Sequence, residues 1–215
     1  MTESLFQLFK ERNLDKIRKA LDANPSLSNE GVGLGDTGPY KGHPLHRLCD
    51  AVFAGKISDE EAIEVARILL EHGSNVDGYK SSGDLNTPLI AASSLHAEKL
   101  GIFYIDSGAD IFYADPRDGA TALHWASFCG RDQLVEKLVK NGANINQRDK
   151  TYHGTPLSWA VHILKDPDAG NMHHQRECIL ILLGAGAECD AADCEFLHTL
   201  NDGRINTLLT RQAEN

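Results

Sequence analysis

From Gly119 to Asp149 the chain reads GATALHWASFCGRDQLVEKLVKNGANINQRD. The turn Gly119-Ala120-Thr121 opens a short helix through Leu123-His124-Trp125-Ala126, and Gly130-Arg131 breaks it. A second helix follows with Leu134, Val135, Leu138 and Val139 on one face, the spacing of an amphipathic helix. Gly142 stops that helix, and Ala143-Asn144-Ile145-Asn146 leads out extended. A helical pair this short cannot close a core by itself, so it implies neighbours of the same kind.

The neighbours are visible on both sides. Openings of the same type occur at His43-Pro44-Leu45-His46, Thr87-Pro88-Leu89-Ile90 and Thr155-Pro156-Leu157-Ser158, and Thr87, Thr121 and Thr155 lie 34 residues apart. Val65, Ala66, Leu69 and Leu70, and later Ile179, Leu182 and Leu183, occupy the apolar face of the second helix. Thr-x-Leu-His-x-Ala, a helical hairpin and Gly-Ala-x-x-Asn at this period resemble the ankyrin repeat. The resemblance is strongest over residues 40–190. It implies an all-α fold: an ankyrin-repeat α-solenoid of four central repeats between two capping repeats, in a single domain spanning 1–215. The expected divisions are an amino-terminal cap at 1–30, repeat 1 with an insertion at 31–80, repeat 2 at 81–114, repeat 3 at 115–148, repeat 4 with an insertion at 149–190, and a carboxy-terminal cap at 191–215. Repeats 1 and 4 are expected to carry elongated helical hairpins. In repeat 1, Ser58-Asp59-Glu60-Glu61 forms a capping box; in repeat 4, residues 166–171 supply a turn.

Composition narrows the function classes. A net charge of −10 argues against a nucleic-acid backbone or an anionic membrane as partner and suits a basic protein partner. No apolar run approaches membrane-span length and no basic-then-apolar leader opens the chain, so a cytoplasmic monomer is expected. Five cysteines without paired spacing fit a reducing compartment.

Candidate chemistry is sparse. Gly33-Leu34-Gly35-Asp36-Thr37-Gly38 matches a dinucleotide-binding pattern, but it follows a helix end and Pro39 comes next, so a hairpin finger is the better reading. Cys49 aligns with Ser93 and Ser127, Cys178 with Leu134, and Cys189 with Ile145, all packing positions, while Cys189-x-x-x-x-Cys194 lacks zinc-ligand spacing. The resemblance gives His46 and His124 a hydrogen-bonding role between adjacent turns. His162, His173 and His174 flank the turn near Pro167, where a histidine cluster binding a metal or small molecule is the alternative function. No nucleophile elbow and no phosphate-loop lysine occur, so neither an enzyme nor a cofactor is expected.

What remains is a surface. The resemblance places partner contacts on the finger tips and the outward positions of the first helices. The residues so marked are Tyr79, Phe112, Tyr113, Arg117, Arg148, Tyr152 and His153 on the fingers, with Phe128, His162 and Ile163 on the helices. Aromatics with arginine on a rigid wall suit binding of a protein partner. Trp125 and Trp159 are expected either to pack between repeats or to form a partly exposed ladder.

Overall fold

The computed structural model describes residues 8–9, 11–33, 41–78, 86–166 and 173–213. Among the described residues it is all-α apart from one two-residue ladder and an isolated bridge between Ala114 and Thr121, and it divides into two compact units, residues 1–110 and 111–215. Among the described residues, no helix is long and apolar enough to cross a membrane.

In the first unit, α1 (Leu14–Ala23) is followed by a 3-10 turn (Pro25–Asn29) and by β1 (Val32–Gly33) and β2 (Lys41–Gly42). The strands pair antiparallel, with Val32 opposite Gly42, and so close the base of the expected hairpin finger. Most of the glycine run, residues 34–38, lies outside the described residues. Two helix pairs then follow: α2 (Pro44–Phe53) with α3 (Asp59–Glu71), and α4 (Pro88–Ser94) with α5 (Glu98–Asp106). Local chemistry sets where each helix begins. Asn13 accepts from the Lys16 N–H, Thr87 from the Ile90 N–H, and Ser58 and Glu61 form the reciprocal capping box. Pro44 and Pro88 stand in the first helical turn, where a missing N–H costs nothing.

The core of this unit is built from Ile17, Leu21, Leu45, Leu48, Leu69, Leu89 and Leu100, all fully buried, each contributing about 1.5–3 kcal/mol by leaving water. Tyr104, which replaces a leucine of the central repeat, is fully buried, and its hydroxyl donates to the Leu45 carbonyl at 2.8 Å. That bond lets a polar group sit in an apolar interior. The expectation for His46 is corrected: its Nδ1 lies 3.5 Å from Asp50 within its own helix. His43, at the helix cap, takes the bridging part instead, facing the Leu45 N–H on one side and Asn29 on the other.

The second unit contains α6 (Ala122–Phe128), α7 (Asp132–Lys140), α8 (Pro156–Leu164), α9 (His173–Gly184), α10 (Ala191–Thr199) and α11 (Gly203–Ala213). The first helices α6 and α8 lie against each other, and the second helices α7 and α9 do likewise. Leu123, Leu134, Val135, Leu138, Leu157, Val161, Ile179, Leu182, Leu197 and Ile205 fill the space between them. Repeat 4 is longer than repeat 3 in both helices: α8 has 9 residues against 7, and α9 has 12 against 9. Cys178 is fully buried, as its alignment with Leu134 implies. Cys189 is not a core residue; it is half-exposed.

Side chains tie three of the finger bases to the next. Asn29 Oδ1 accepts from the Asn75 N–H at 2.7 Å, Asp77 from the Asp110 N–H at 2.8 Å, and Asn146 from the Glu188 N–H at 2.9 Å. Asp77 and Asn146 hold the same place, four residues after the glycine that ends a second helix. Repeat 2 has Phe112 at that place, and a phenyl ring cannot accept such a bond.

Candidate interaction surface

Two fingers of the second unit are built on one turn. Asp115 N–H donates to the Ala120 carbonyl at 2.9 Å, and Asp149 N–H to the Gly154 carbonyl at 3.0 Å. Both aspartates are buried, and each carboxylate turns inward to hold its own loop. In the first finger the Asp115 carboxylate receives the Arg117 N–H and the Arg117 guanidinium, through Nε at 3.1 Å and Nη2 at 2.7 Å. In the second, Asp149 receives the N–H groups of Thr151, Tyr152 and Gly154, and also the indole N–H of Trp159 at 3.0 Å. Burial pushes the Asp149 carboxyl up, but these donors together outweigh it and hold the group below the usual carboxylate range.

Trp159 is thereby fixed at the base of the finger, and other rings collect around it. Trp125 meets it edge to face with centroids 5.3 Å apart, and Phe128 does so at 5.8 Å. Trp125 and Phe128 are themselves 6.1 Å apart and near perpendicular. Edge-to-face contacts of this kind contribute about 0.5–1.5 kcal/mol each beyond area burial. Packing does not hide the rings, because all three remain half-exposed. Of the two expectations for the tryptophans, the structure combines both: they pack on each other across repeats and still present surface.

The rings line a groove of about 530 Å³. Tyr152, 78% exposed, stands at its finger side together with His153. His162 of α8 and Lys165, the residue that caps its end, line it farther along, with Asp190 and Asp193 at the start of α10. Lys165 Nζ pairs with Asp193 at 2.7 Å and lies 5.4 Å over the Phe196 ring. The groove therefore joins an aromatic floor to a wall carrying two carboxylates and one amine.

Behind the floor, His124 is fully buried. Its Nδ1 accepts from the Thr121 N–H at 3.1 Å, and its Nε2 faces the Gly154 carbonyl at 3.3 Å. This is the hydrogen-bonding role between adjacent turns that the resemblance implies. Burial holds the imidazole pKa below its ordinary value, so the ring stays neutral with its proton on Nε2.

Not every expected residue reaches the groove. Phe128, Tyr152, His153 and His162 line it. Arg117 and Arg148 are exposed but brace their own fingers, Arg148 by donating to the His153 carbonyl at 2.7 Å. Tyr113 is half-buried, and burial and then the Asp115 carboxylate push its phenol pKa up. Phe112 is 66% exposed and Ile163 half-buried. Tyr79 lies outside the described residues. The histidine cluster expected near Pro167 takes a different form: His174 Nδ1 approaches Asp132 of the preceding repeat at 2.8 Å, while His162 lines the groove. Among the described residues, no group of three or more His, Cys, Asp or Glu is placed to hold a metal; the His173 side chain lies outside them.

Sequence reading missed Asp149, Lys165, Asp190 and Asp193. For Asp149 a signal existed, since Asp115 and Asp149 repeat at 34 residues. A second signal lies in the backbone. Gly119 adopts φ +75, and the residue at the same place in the next finger is His153, with φ +53. A non-glycine residue there costs about 1–2 kcal/mol, so something must favour the imidazole at the rim of the groove.

Comparison with known proteins agrees with this architecture. The ankyrin-repeat family profile matches residues 118–150. The chain is 31% identical over 136 residues to mouse ankyrin repeat and SOCS box protein 6, an alignment covering 63% of this chain and 30% of that protein. It is 32% identical over 126 residues to ankyrin repeat protein OPG189 of variola virus, covering 58% and 22%. It is also 32% identical over 111 residues to mouse palmitoyltransferase ZDHHC13, covering 42% and 18%. The matched segment thus spans less than a third of each of these relatives, and the likeness does not extend over the remainder of those proteins.

Proposed function

We propose, from the premise that this chain is an ankyrin-repeat protein, that it is a non-enzymatic module whose second unit binds a partner protein through the groove beneath its fingers. Ankyrin repeats are general protein–protein interaction modules, and this reading assigns the contact to particular residues. The observation that carries it is the partly exposed set of Trp125, Phe128 and Trp159, of which Trp159 is fastened by Asp149 and the other two pack edge to face on it. Rings of this kind, fixed before binding, lose little side-chain freedom on contact and are the usual source of interface energy. Occupying a partner in this way serves an adaptor or an inhibitor equally, including an immunity-type neutraliser of a toxin or hydrolase. The net charge of −10, with Asp190 and Asp193 on the groove wall, favours a basic partner.

The test is affinity capture from source-cell extract with the wild-type chain beside a Phe128→Ala/Tyr152→Ala double variant. The affinity for the captured, purified protein is then measured for both. Phe128→Ala gives up two ring contacts and should lower the unfolding midpoint, so circular dichroism at the assay temperature checks that the variant is still folded. A loss of tenfold or more in affinity, about 1.4 kcal/mol, supports the reading. Equal affinity of the two chains for every captured protein overturns it.

A further inference from the structure

Cys189 and Cys194 do not form a metal site, yet the fold brings them together. Asp190 caps α10: its side chain accepts from the Asp193 N–H, and its carbonyl accepts from the Cys194 N–H at 2.9 Å. Cys189 is therefore the residue before the cap and Cys194 the fourth residue of the helix. These two places are where a side chain outside a helix folds back on one inside it. A pair of thiols occupies them, both half-exposed, with Cys194 a hydrogen-bond partner of the Cys189 thiol. The other cysteines differ: Cys49 and Cys178 are fully buried, and Cys129 has no second cysteine near it in sequence.

We propose that Cys189 and Cys194 form a dithiol site that is converted to an intramolecular disulfide by a small-molecule disulfide of the glutathione class. The Cys194 thiolate attacks one sulfur of the small disulfide, forms a mixed disulfide and expels one thiolate. Cys189 then loses its proton and attacks the Cys194 sulfur, forming the Cys189–Cys194 bond and expelling the second. Two protein thiols are oxidised and one small disulfide is reduced to two thiols, with no other reactant. The order follows from the surroundings. Burial first, then the contact with Cys194 and the charges of Asp193 and Asp190, raise the Cys189 pKa, which makes Cys189 a poor first nucleophile and assigns the first attack to Cys194. In the mixed disulfide the Cys194 thiol no longer faces Cys189, which removes one cause of the raised pKa while burial, the largest, remains. The site is not an electropositive one that speeds thiolate attack, so exchange should be slow at neutral pH and quicken as pH rises. The bridge would fix the turn that aims Asp190 and Asp193 into the groove.

The whole chain is incubated with oxidised glutathione at pH 8, then alkylated, cut with trypsin and weighed. Trypsin releases residues 177–204 as one peptide containing Cys178, Cys189 and Cys194. The expected wild-type product is this peptide lacking two hydrogens, with fragmentation placing the bond between Cys189 and Cys194 and Cys178 alkylated after unfolding. Cys189→Ser should instead retain one glutathione on Cys194. Three results would overturn the proposal: glutathione accumulating on wild type without a bridge, a bridge that includes Cys178, or no reaction at either residue. Cys189→Ser alters a half-exposed position, and an unchanged unfolding midpoint shows that the comparison is between folded chains.

Discussion

The two fingers of the second unit share a backbone and differ in what their aspartates hold. Asp115 is satisfied by Arg117 of its own loop, whereas Asp149 reaches past its loop to the Trp159 indole. The Asp115 carboxylate serves its own loop, while Lys150 of the next finger bonds the Asp118 and Pro116 carbonyls; the second finger is fastened to the floor of the groove. Their tips differ in the same sense, with glycine at 119 and histidine at 153 in the left-handed region. One turn design thus gives a neutral spacer in one repeat and a part of the proposed site in the next. A repeat motif fixes the backbone, and the side chains it leaves free decide where partners are met.

The largest effect should follow Asp149→Ala. Three backbone N–H groups and one indole N–H lose a common acceptor, for a cost of about 3 kcal/mol in urea unfolding at neutral pH. Asp115→Ala should cost under about 1 kcal/mol, because the Arg117 side chain is 58% exposed and water replaces its partner. Equal losses would erase the distinction between the fingers. The acid dependence sharpens it. The folded Asp149 carboxyl is held below its unfolded pKa, so its stabilisation is present above the unfolded value, about pH 4, and is lost as pH falls through the folded value. The gap between wild type and Asp149→Asn should accordingly narrow on acidification below about pH 4.

Trp159→Phe comes next. It keeps a ring on the floor but removes the indole N–H and part of the ring area, so a stability loss of about 1.5 kcal/mol or more is expected, with faster amide exchange in residues 151–154. Exchange unchanged in that finger would mean that the indole does not fasten it.

Smallest, and opposite in sign, are changes that restore the repeat pattern. His153→Gly relieves a left-handed residue, and Phe112→Asn supplies the missing acceptor between finger bases. Each should raise stability by about 0.5–1 kcal/mol. His153→Gly should also weaken partner capture, because it empties the rim of the groove. A variant that gains stability and binds as before would remove His153 from the site.

Much of this was open to sequence reading because it is local. The 34-residue spacing of Thr87, Thr121 and Thr155, the Ser58–Glu61 capping box and the helix-ending Gly73, Gly108, Gly142 and Gly186, all with positive φ, depend on neighbours a few residues away. Phe128, Tyr152 and His162 could be placed for the same reason, from their offset in the repeat. The rest depends on contacts that the offset does not encode. Asp115 and Asp149 look alike as turn residues, and only the folded chain brings Trp159 to the second. His174 was grouped with His162 by nearness in sequence, but it turns to Asp132, 42 residues earlier. Cys189 and Cys194 lack metal-ligand spacing, and it is the helix cap at Asp190 that brings them together.

The neutral imidazole of His124 carries one more consequence, for the environment in which the chain can work. Its folded pKa lies below the unfolded value of about 6.5, so its contribution is whole above that value and declines as pH falls below it, since the unfolded chain takes up the proton first. The joint that loosens is the one it makes between Thr121 and Gly154, directly behind the aromatic floor. Mild acidity of the kind met in an endosome or vacuole would thus act on the seam between repeats 3 and 4 well before it reached the carboxylates. His72, whose pKa is held up by Asp22, responds in the opposite sense, so what mild acid weakens is this seam rather than the chain as a whole.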